Sequence, residues 1–223
     1  MRKGSDAIAF GWMLPLAAVT LAGCGGGGTA APPTGAITAV VVSGDQQVGP
    51  AAAALPLPIV VGVAQGGSAL GGQTVNWTVT NASNVAPGSS ITASNGNAST
   101  SATLQGTAGV VTISAAVTGV ATPVVFRAYA VPAGAAVVEL RNNVYVPATL
   151  TVAAGSTVAF VWKDGANNHN VVPDATIPAT SGPLNNGPRV YTVTLAAAGT
   201  YRFFCQAHGG SGGAGMSGTI TVN

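Results

Sequence analysis

The sequence is poor in the residues that most often carry catalysis and metal binding. Its 223 residues include two His, two Cys and three Met, and charged residues make up only 5% of the chain. Seven Lys and Arg stand against five Asp and Glu without forming a basic cluster, which argues against a nucleic-acid partner. Glu, Lys and Leu are also scarce, so the composition excludes a coiled coil or a helical bundle.

The abundant residues favour β-structure. Val, Thr, Gly and Ser dominate, and such residues form strands joined by tight turns. Val75, Trp77 and Val79 alternate with polar residues and should share one buried face. The pattern predicts an all-β protein with strands over Thr38–Ser43, Pro58–Ala64, Thr74–Thr80, Ala102–Leu104, Val110–Ala116, Val124–Ala130, Val137–Arg141, Thr149–Val152, Thr157–Lys163, His169–Val172, Val190–Leu195, Thr200–Phe204 and Gly218–Val222.

The N-terminal segment has the features of a secretory signal. Its start is positively charged, and the mostly apolar run Ala7–Gly23 is short for a membrane crossing. Leu21-Ala22-Gly23-Cys24, followed by glycines, resembles the lipobox of bacterial lipoproteins. This resemblance implies that residues 1–23 are removed and that Cys24 carries lipid; an ordinary signal with a chance Cys is the alternative. Residues 24–35 are predicted to form a flexible Gly/Pro linker.

The expected location follows from that signal. A lipid-carrying Cys24 would anchor the mature protein to a membrane of the bacterial cell envelope, at the periplasmic face or the outer surface. Beyond Cys24 the chain has five basic and four acidic residues, so its net charge is near zero. Such a chain has little long-range field with which to steer a charged partner.

Residues 36–131 are predicted to form one β-sandwich. The runs Leu57–Val61, Gly72–Val79 and Gly109–Ala115 resemble the bacterial Ig-like domains of invasin- and intimin-type proteins. This resemblance implies a spacer or an interaction module. The segment contains no His, Cys or Met, so we expect neither catalysis nor transition-metal binding there.

The chemistry-bearing residues beyond Cys24 are concentrated in the last quarter of the sequence. They are His169, Cys205, His208 and Met216. A single leftover Cys in a secreted protein indicates a reactive thiol or a metal ligand. One thiolate, two imidazoles and a thioether suit copper, whereas zinc, the other candidate, usually takes four firm ligands.

Residues 136–223 resemble a plastocyanin-type cupredoxin. The resemblance rests on these segments: Asn142–Pro147, Leu150–Val158, His169–Val172, Gly199–His208 and Gly215–Gly218. It implies a Greek-key β-sandwich or barrel holding one type 1 copper, with His169, Cys205 and His208 as equatorial ligands and Met216 as the axial ligand. Seven residues separate His208 from Met216, against four in plastocyanins. We expect this Gly/Ser-rich stretch to be a bulging loop.

The resemblance implies one-electron transfer with a redox partner protein and no enzymatic activity. Two His residues are too few for the catalytic coppers of multicopper oxidases or nitrite reductases, and a dinuclear thiolate-bridged centre needs two nearby Cys. Neither His has the acidic partner and nucleophile motif of a hydrolase. Two alternatives stay open: an adhesive surface protein with a vestigial copper domain, and a periplasmic copper carrier or storage protein.

Overall fold

Strands make up all the regular secondary structure in the described part of the chain. A computed structural model describes residues 34–81, 83–163, 165, 167–175 and 179–223, and within these ranges there are 18 strands. None of these residues forms a helix that is long and apolar enough to cross a membrane. The expected all-β fold is confirmed. The predicted signal peptide (1–23), Cys24 and most of the predicted linker (24–35) lie outside the described residues.

The first ten strands form a sandwich of two sheets, which we call the N-terminal sandwich. They are β1 (Ile37–Ser43), β2 (Gln47–Pro50), β3 (Ile59–Gln65), β4 (Ser68–Ala69), β5 (Thr74–Val79), β6 (Asn84–Ala86), β7 (Ser89–Ile91), β8 (Asn97–Thr103), β9 (Gly109–Val117) and β10 (Val124–Val131). One sheet has the order β1-β3-β8-β6, with β4 beside β3, and the other has the order β2-β10-β9-β5-β7. Alternating side chains from both sheets fill its core, where Val75 and Trp77 are buried and Val79 is half-buried, as predicted.

The remaining eight strands form the C-terminal sandwich. They are β11 (Ala136–Arg141), β12 (Val144–Val146), β13 (Thr149–Val152), β14 (Ser156–Trp162), β15 (Val172–Pro173), β16 (Arg189–Leu195), β17 (Gly199–Gly210) and β18 (Ala214–Val222). One sheet has the order β12-β11-β14-β16 and the other β13-β18-β17-β15. Their facing side chains enclose a second core, to which the Cys205 and Met216 side chains belong.

A third apolar cluster joins the two sandwiches. Alternate side chains of β14 enter the C-terminal core, and the others, Ala159 and Val161, pack against Tyr129 and Val131 of β10. All four of these side chains are buried. A strand buried on both faces requires a continuous apolar sequence, which explains the run Val158–Trp162. The two sandwiches thus belong to one compact unit.

Most predicted strands are present with bounds shifted by a residue or two. Two expectations at the metal-ligand candidates are wrong. The strand expected over His169–Val172 does not form, because His169 makes an isolated bridge to Asn185 and β15 holds only Val172–Pro173. The loop expected between His208 and Met216 is largely a continuation of β17 and β18, which pair across it.

Candidate metal centre

Three of the four side chains singled out in the sequence meet at one end of the C-terminal sandwich. The Cys205 Sγ lies 3.7 Å from the His169 Nδ1 and 3.7 Å from the His208 Nδ1. The two Nδ1 atoms are 3.1 Å apart. The Cys205 and His169 side chains are buried and His208 is half-buried, so the group opens to solvent on the His208 side.

The three donor atoms fit a single metal ion. The point equidistant from them lies about 2 Å from each, which matches ordinary metal–nitrogen bond lengths. One thiolate and two imidazoles are the trigonal set that holds copper in electron-transfer sites. Zinc would require a fourth firm ligand, and no carboxylate belongs to this group of described residues.

Cys205 and His208 occupy an interruption in the ladder between β17 and β18. Phe204 pairs with Ser217, and the next pair is Gly209 with Gly215. Four residues of β17 therefore face a single residue of β18. Such a bulge releases its side chains from strict alternation, which allows Cys205 and His208 to turn toward the same point.

His169 is fixed by hydrogen bonds rather than by a regular strand. Its backbone exchanges two hydrogen bonds of 3.0 Å with Asn185. Its carbonyl accepts a 2.9 Å hydrogen bond from the Trp162 indole, and this indole is fully buried. The Arg189 guanidinium lies over the Trp162 ring, 5.4 Å from its centroid, and donates to the Ser181 carbonyl. These contacts hold the imidazole at the sandwich end without requiring the extended strand that the sequence suggested.

Met216 lies in the same core cluster as Cys205 and is 2% exposed. It is the single residue of β18 opposite the four-residue bulge, so its backbone runs beside that of His208 despite the seven intervening residues. The longer spacing is absorbed by paired strands that extend beyond the site. The axial role of Met216 stays a prediction.

Three side chains that the sequence did not single out connect the ligand-bearing segments. The Asn170 side chain donates to the Gln206 Oε1 at 2.8 Å, and its Oδ1 accepts from the Gln206 backbone N–H at 3.0 Å. The Tyr145 hydroxyl donates to the Asn170 carbonyl at 2.6 Å. Asn170 follows His169 and Gln206 follows Cys205, so this network joins the two segments. The one signal in the sequence was the position of Asn170 and Gln206 beside candidate ligands.

Burial shifts the pKa of two side chains at the site, His169 and Tyr145. It lowers the pKa of His169, and the nearby His208 adds a smaller lowering. The neutral imidazole, which is the form that binds metal, is therefore favoured. Burial also raises the pKa of the Tyr145 phenol, with Cys205 as a smaller cause. The phenol consequently keeps its proton and its hydrogen bond to Asn170.

Comparisons with known proteins concern the C-terminal sandwich. A model of copper binding proteins of the plastocyanin/azurin family matches residues 132–223. The chain is 38% identical to plastocyanin of Prochlorothrix hollandica over 106 residues, which cover 42% of this chain and 78% of that protein. It is 39% identical to plastocyanin A/B of Petroselinum crispum over 88 residues, or 36% of this chain and 88% of that one. A solved structure of amicyanin from Paracoccus versutus shares 30% identity over 42% of this chain and 85% of its own, with a TM-score of 0.35.

Proposed function

Because the chain belongs to the plastocyanin/azurin family of copper-binding proteins, we propose that it is a lipid-anchored bacterial electron carrier with a type 1 copper site. Copper is its cofactor, as the sequence predicted, and the family implies electron transfer rather than enzymatic chemistry. The observation that carries the proposal is the triangle of His169 Nδ1, Cys205 Sγ and His208 Nδ1, since these atoms come from the segments that carry the resemblance.

In this proposal His169, Cys205 and His208 would hold the copper, and Met216 would add a weak thioether ligand. Bound copper supplies a one-electron couple. The protein would keep the ligand atoms in nearly the same places in both redox states, which would lower the reorganisation that each transfer requires. The Asn170–Gln206 hydrogen bonds and the buried Trp162 indole serve this purpose.

Electrons would enter and leave through His208. Its ring is half-buried, whereas His169 and Cys205 are fully enclosed. The neighbouring Gly209 and Gly210 add no side-chain bulk, so a redox partner protein can approach the imidazole edge closely.

The proposed location is a membrane of the bacterial cell envelope. The lipobox-like Leu21–Cys24 supports a lipid anchor in the cell envelope, and the Gly- and Pro-rich stretch after it supports a tether. The N-terminal sandwich, with its Ig-like sequence pattern, would act as a spacer between the membrane and the copper site. Its identity as an Ig-like domain stays a proposal.

One spectrum tests the copper proposal. The purified chain loaded with Cu(II) should show an intense visible thiolate charge-transfer band and reversible one-electron redox behaviour. Cys205→Ser should lose the band, because the thiolate supplies the transition, while Met216→Leu should keep bound copper and a band. A colourless protein that readily releases Cu(I) would instead indicate a copper carrier.

The anchor requires a separate experiment. In bacteria grown with labelled palmitate, the parent chain should carry the label and sediment with membranes. Cys24→Ser should be unlabelled and either uncleaved or soluble, and Cys205→Ser serves as the matched control that keeps the label. Label on the Cys24→Ser protein would refute the lipobox.

A further inference from the structure

The seven residues between His208 and Met216 fold into a β-hairpin, which we call the ligand hairpin (Gly209–Gly215). Gly209 pairs with Gly215 and Gly210 pairs with Ala214. The additional length therefore projects from the sandwich as paired strands and does not spread between the two candidate ligands.

The first pair of this hairpin closes the ladder beyond Met216. Phe204 and Ser217 close it on the other side. Met216 stands alone on its strand between these two pairs, opposite the bulge that holds Cys205 and His208. The relative positions of these three side chains thus depend on the Gly209–Gly215 pair.

The two backbones approach too closely at this pair for any side chain. A Cβ on Gly209 would lie 2.3 Å from the Met216 carbonyl oxygen and 2.8 Å from that of Ala214. A Cβ on Gly215, whose φ is +56°, would lie 2.3 Å from the His208 carbonyl oxygen. Each glycine is therefore pressed against the backbone of a candidate ligand, and only glycine fits both places.

The next residue of the hairpin differs from this crowded base. A Cβ on Gly210 would meet only the Ala214 Cβ, at 3.9 Å, which is an ordinary contact. Its φ lies outside the left-handed region, so an L side chain is tolerated there. Two adjacent glycines thus differ in their surroundings: Gly209 has no room for a side chain, whereas Gly210 does.

The tip of the hairpin is tied to the rest of the sandwich by Asp174. The Gly212 N–H donates to the Asp174 Oδ2 at 3.0 Å, and the Asp174 N–H donates to the Arg202 carbonyl at 3.0 Å. Asp174 directly follows β15, which pairs with Phe203 and Phe204 just before Cys205. The hairpin is thereby held both at its base and at its tip.

We propose that Gly209, Gly215 and Asp174 are positioning residues that set the separation of His208 and Met216 at the copper centre. This inference rests on the proposed copper function. The glycines act by permitting close backbone contact, and Asp174 acts by holding the hairpin against β15. None of the three belongs to the group of His169, Cys205 and His208 that could hold the metal.

The first experiment compares Gly209→Ala with Gly210→Ala in the full chain. Gly209→Ala should move the backbone of Met216 or His208, changing the visible spectrum and shifting the Cu(II)/Cu(I) affinity ratio by about tenfold, which is about 59 mV for one electron. Gly210→Ala should keep the spectrum and potential of the parent. If both variants bind copper with the parent's spectrum and potential, the proposal for the base of the hairpin is overturned.

A second pair of variants decides the question if Gly209→Ala fails to fold. Asp174→Ala removes the acceptor for Gly212, whereas Asp174→Asn keeps an oxygen acceptor and loses only the charge. Asp174→Ala should speed hydrogen exchange of the Gly212 amide in copper-free protein and shift the potential, and Asp174→Asn should restore both toward the parent. Equal potential shifts in the two variants would assign the effect to charge and overturn the positioning role, as would parental exchange and potential in Asp174→Ala.

The exchange measurement also separates this inference from the proposed function. It requires no copper, so the protection of the Gly212 amide and its loss in Asp174→Ala can be measured whether or not the protein binds copper in a type 1 site. A parent protein that binds copper without a thiolate band would end the type 1 proposal. An unprotected Gly212 amide in the parent would end the hairpin proposal alone.

Discussion

The two sandwiches are made of similar strands, but they interrupt their ladders differently. In the N-terminal sandwich the pairing of β1 with β3 slips by one residue, Val42, which carries no reactive group. In the C-terminal sandwich the pairing of β17 with β18 opens over four residues that include Cys205 and His208. Ligand-bearing side chains converge where the ladder opens, because regular pairing sends successive side chains to opposite faces.

The cores of the two sandwiches also differ, in their content of aromatic side chains. The N-terminal core has one tilted aromatic pair, Trp77 with Phe126, whose ring centroids are 6.1 Å apart. The C-terminal core has a cluster in which Phe203 meets Tyr145 and Phe160 edge-on, at 4.8 and 5.2 Å between centroids. This cluster lies beneath the bulge and carries the Tyr145 hydroxyl that bonds to Asn170. An aromatic cluster therefore accompanies the site, whereas the core of the N-terminal sandwich is mainly aliphatic.

The largest effect should come from truncating one buried phenylalanine in each core. Phe126 and Phe160 are both fully buried, so Phe126→Ala and Phe160→Ala should each lower the free energy of unfolding by about 3–5 kcal/mol. Denaturant titration of copper-free protein measures this loss. After copper loading, only Phe160→Ala should change the visible band, because Phe160 supports Phe203 and Tyr145. A comparable spectral change in Phe126→Ala would show that the cores are coupled more tightly than we infer.

An intermediate effect is expected where the two sandwiches meet. Val161→Thr keeps the shape of the side chain but buries a hydroxyl among Tyr129, Val131 and Ala159, which should cost about 2 kcal/mol of unfolding free energy. The control is Val125→Thr, since Val125 is 43% exposed and its replacement should change stability by less than about 0.5 kcal/mol. Equal stabilities of the two variants would contradict a buried interface at β14.

The contact between the two sandwiches at β14 was predicted only in part from the sequence. The continuous apolar run Val158–Trp162 indicates a strand covered on both faces, and the strand itself was predicted within one residue at each end. The pattern does not say what covers the second face. That information depends on Tyr129 and Val131, which are distant in sequence and look like ordinary strand residues.

At the metal centre, too, the sequence predicted some features and not others. His169, Cys205, His208 and Met216 stand out because they are the only His, Cys and Met residues of the sequence beyond Cys24, and the structure brings the first three together. The ligand hairpin could not be predicted, because Gly and Ser indicate turns without specifying a pairing register. The Asn170–Gln206 bonds depend on two side chains 36 residues apart, which local patterns do not connect.

A smaller effect should distinguish two hydrogen bonds of similar strength. Tyr145→Phe removes the donor to Asn170, and Ser90→Ala removes the acceptor of the Trp77 indole in the other sandwich. Each should cost about 1 kcal/mol of unfolding free energy. Only Tyr145→Phe should also shift the reduction potential, because Asn170 is joined to the ligand-bearing segments. A potential shift of the same size in Ser90→Ala would remove this contrast between the sandwiches.

The smallest effect concerns salt, and it follows from how the few charges are distributed. The N-terminal sandwich has one acidic and one basic residue, Asp45 and Arg127. In the C-terminal sandwich, Glu139 pairs with both Arg141 and Lys163, so this cluster keeps a single net positive charge. The segment around His208, from Gln206 to Met216, carries no charged side chain.

The rate of reduction by a physiological donor protein should therefore change by less than about twofold between low and physiological ionic strength. Stopped-flow rates at several salt concentrations measure this dependence. Lys163→Gln is the control, because it removes the one positive charge of this cluster that Glu139 does not balance and should leave the rate as insensitive to salt as in the parent chain. A steep dependence in the parent chain would mean that the partner binds through charges, and the glycine-rich surface around His208 would then not be the docking site.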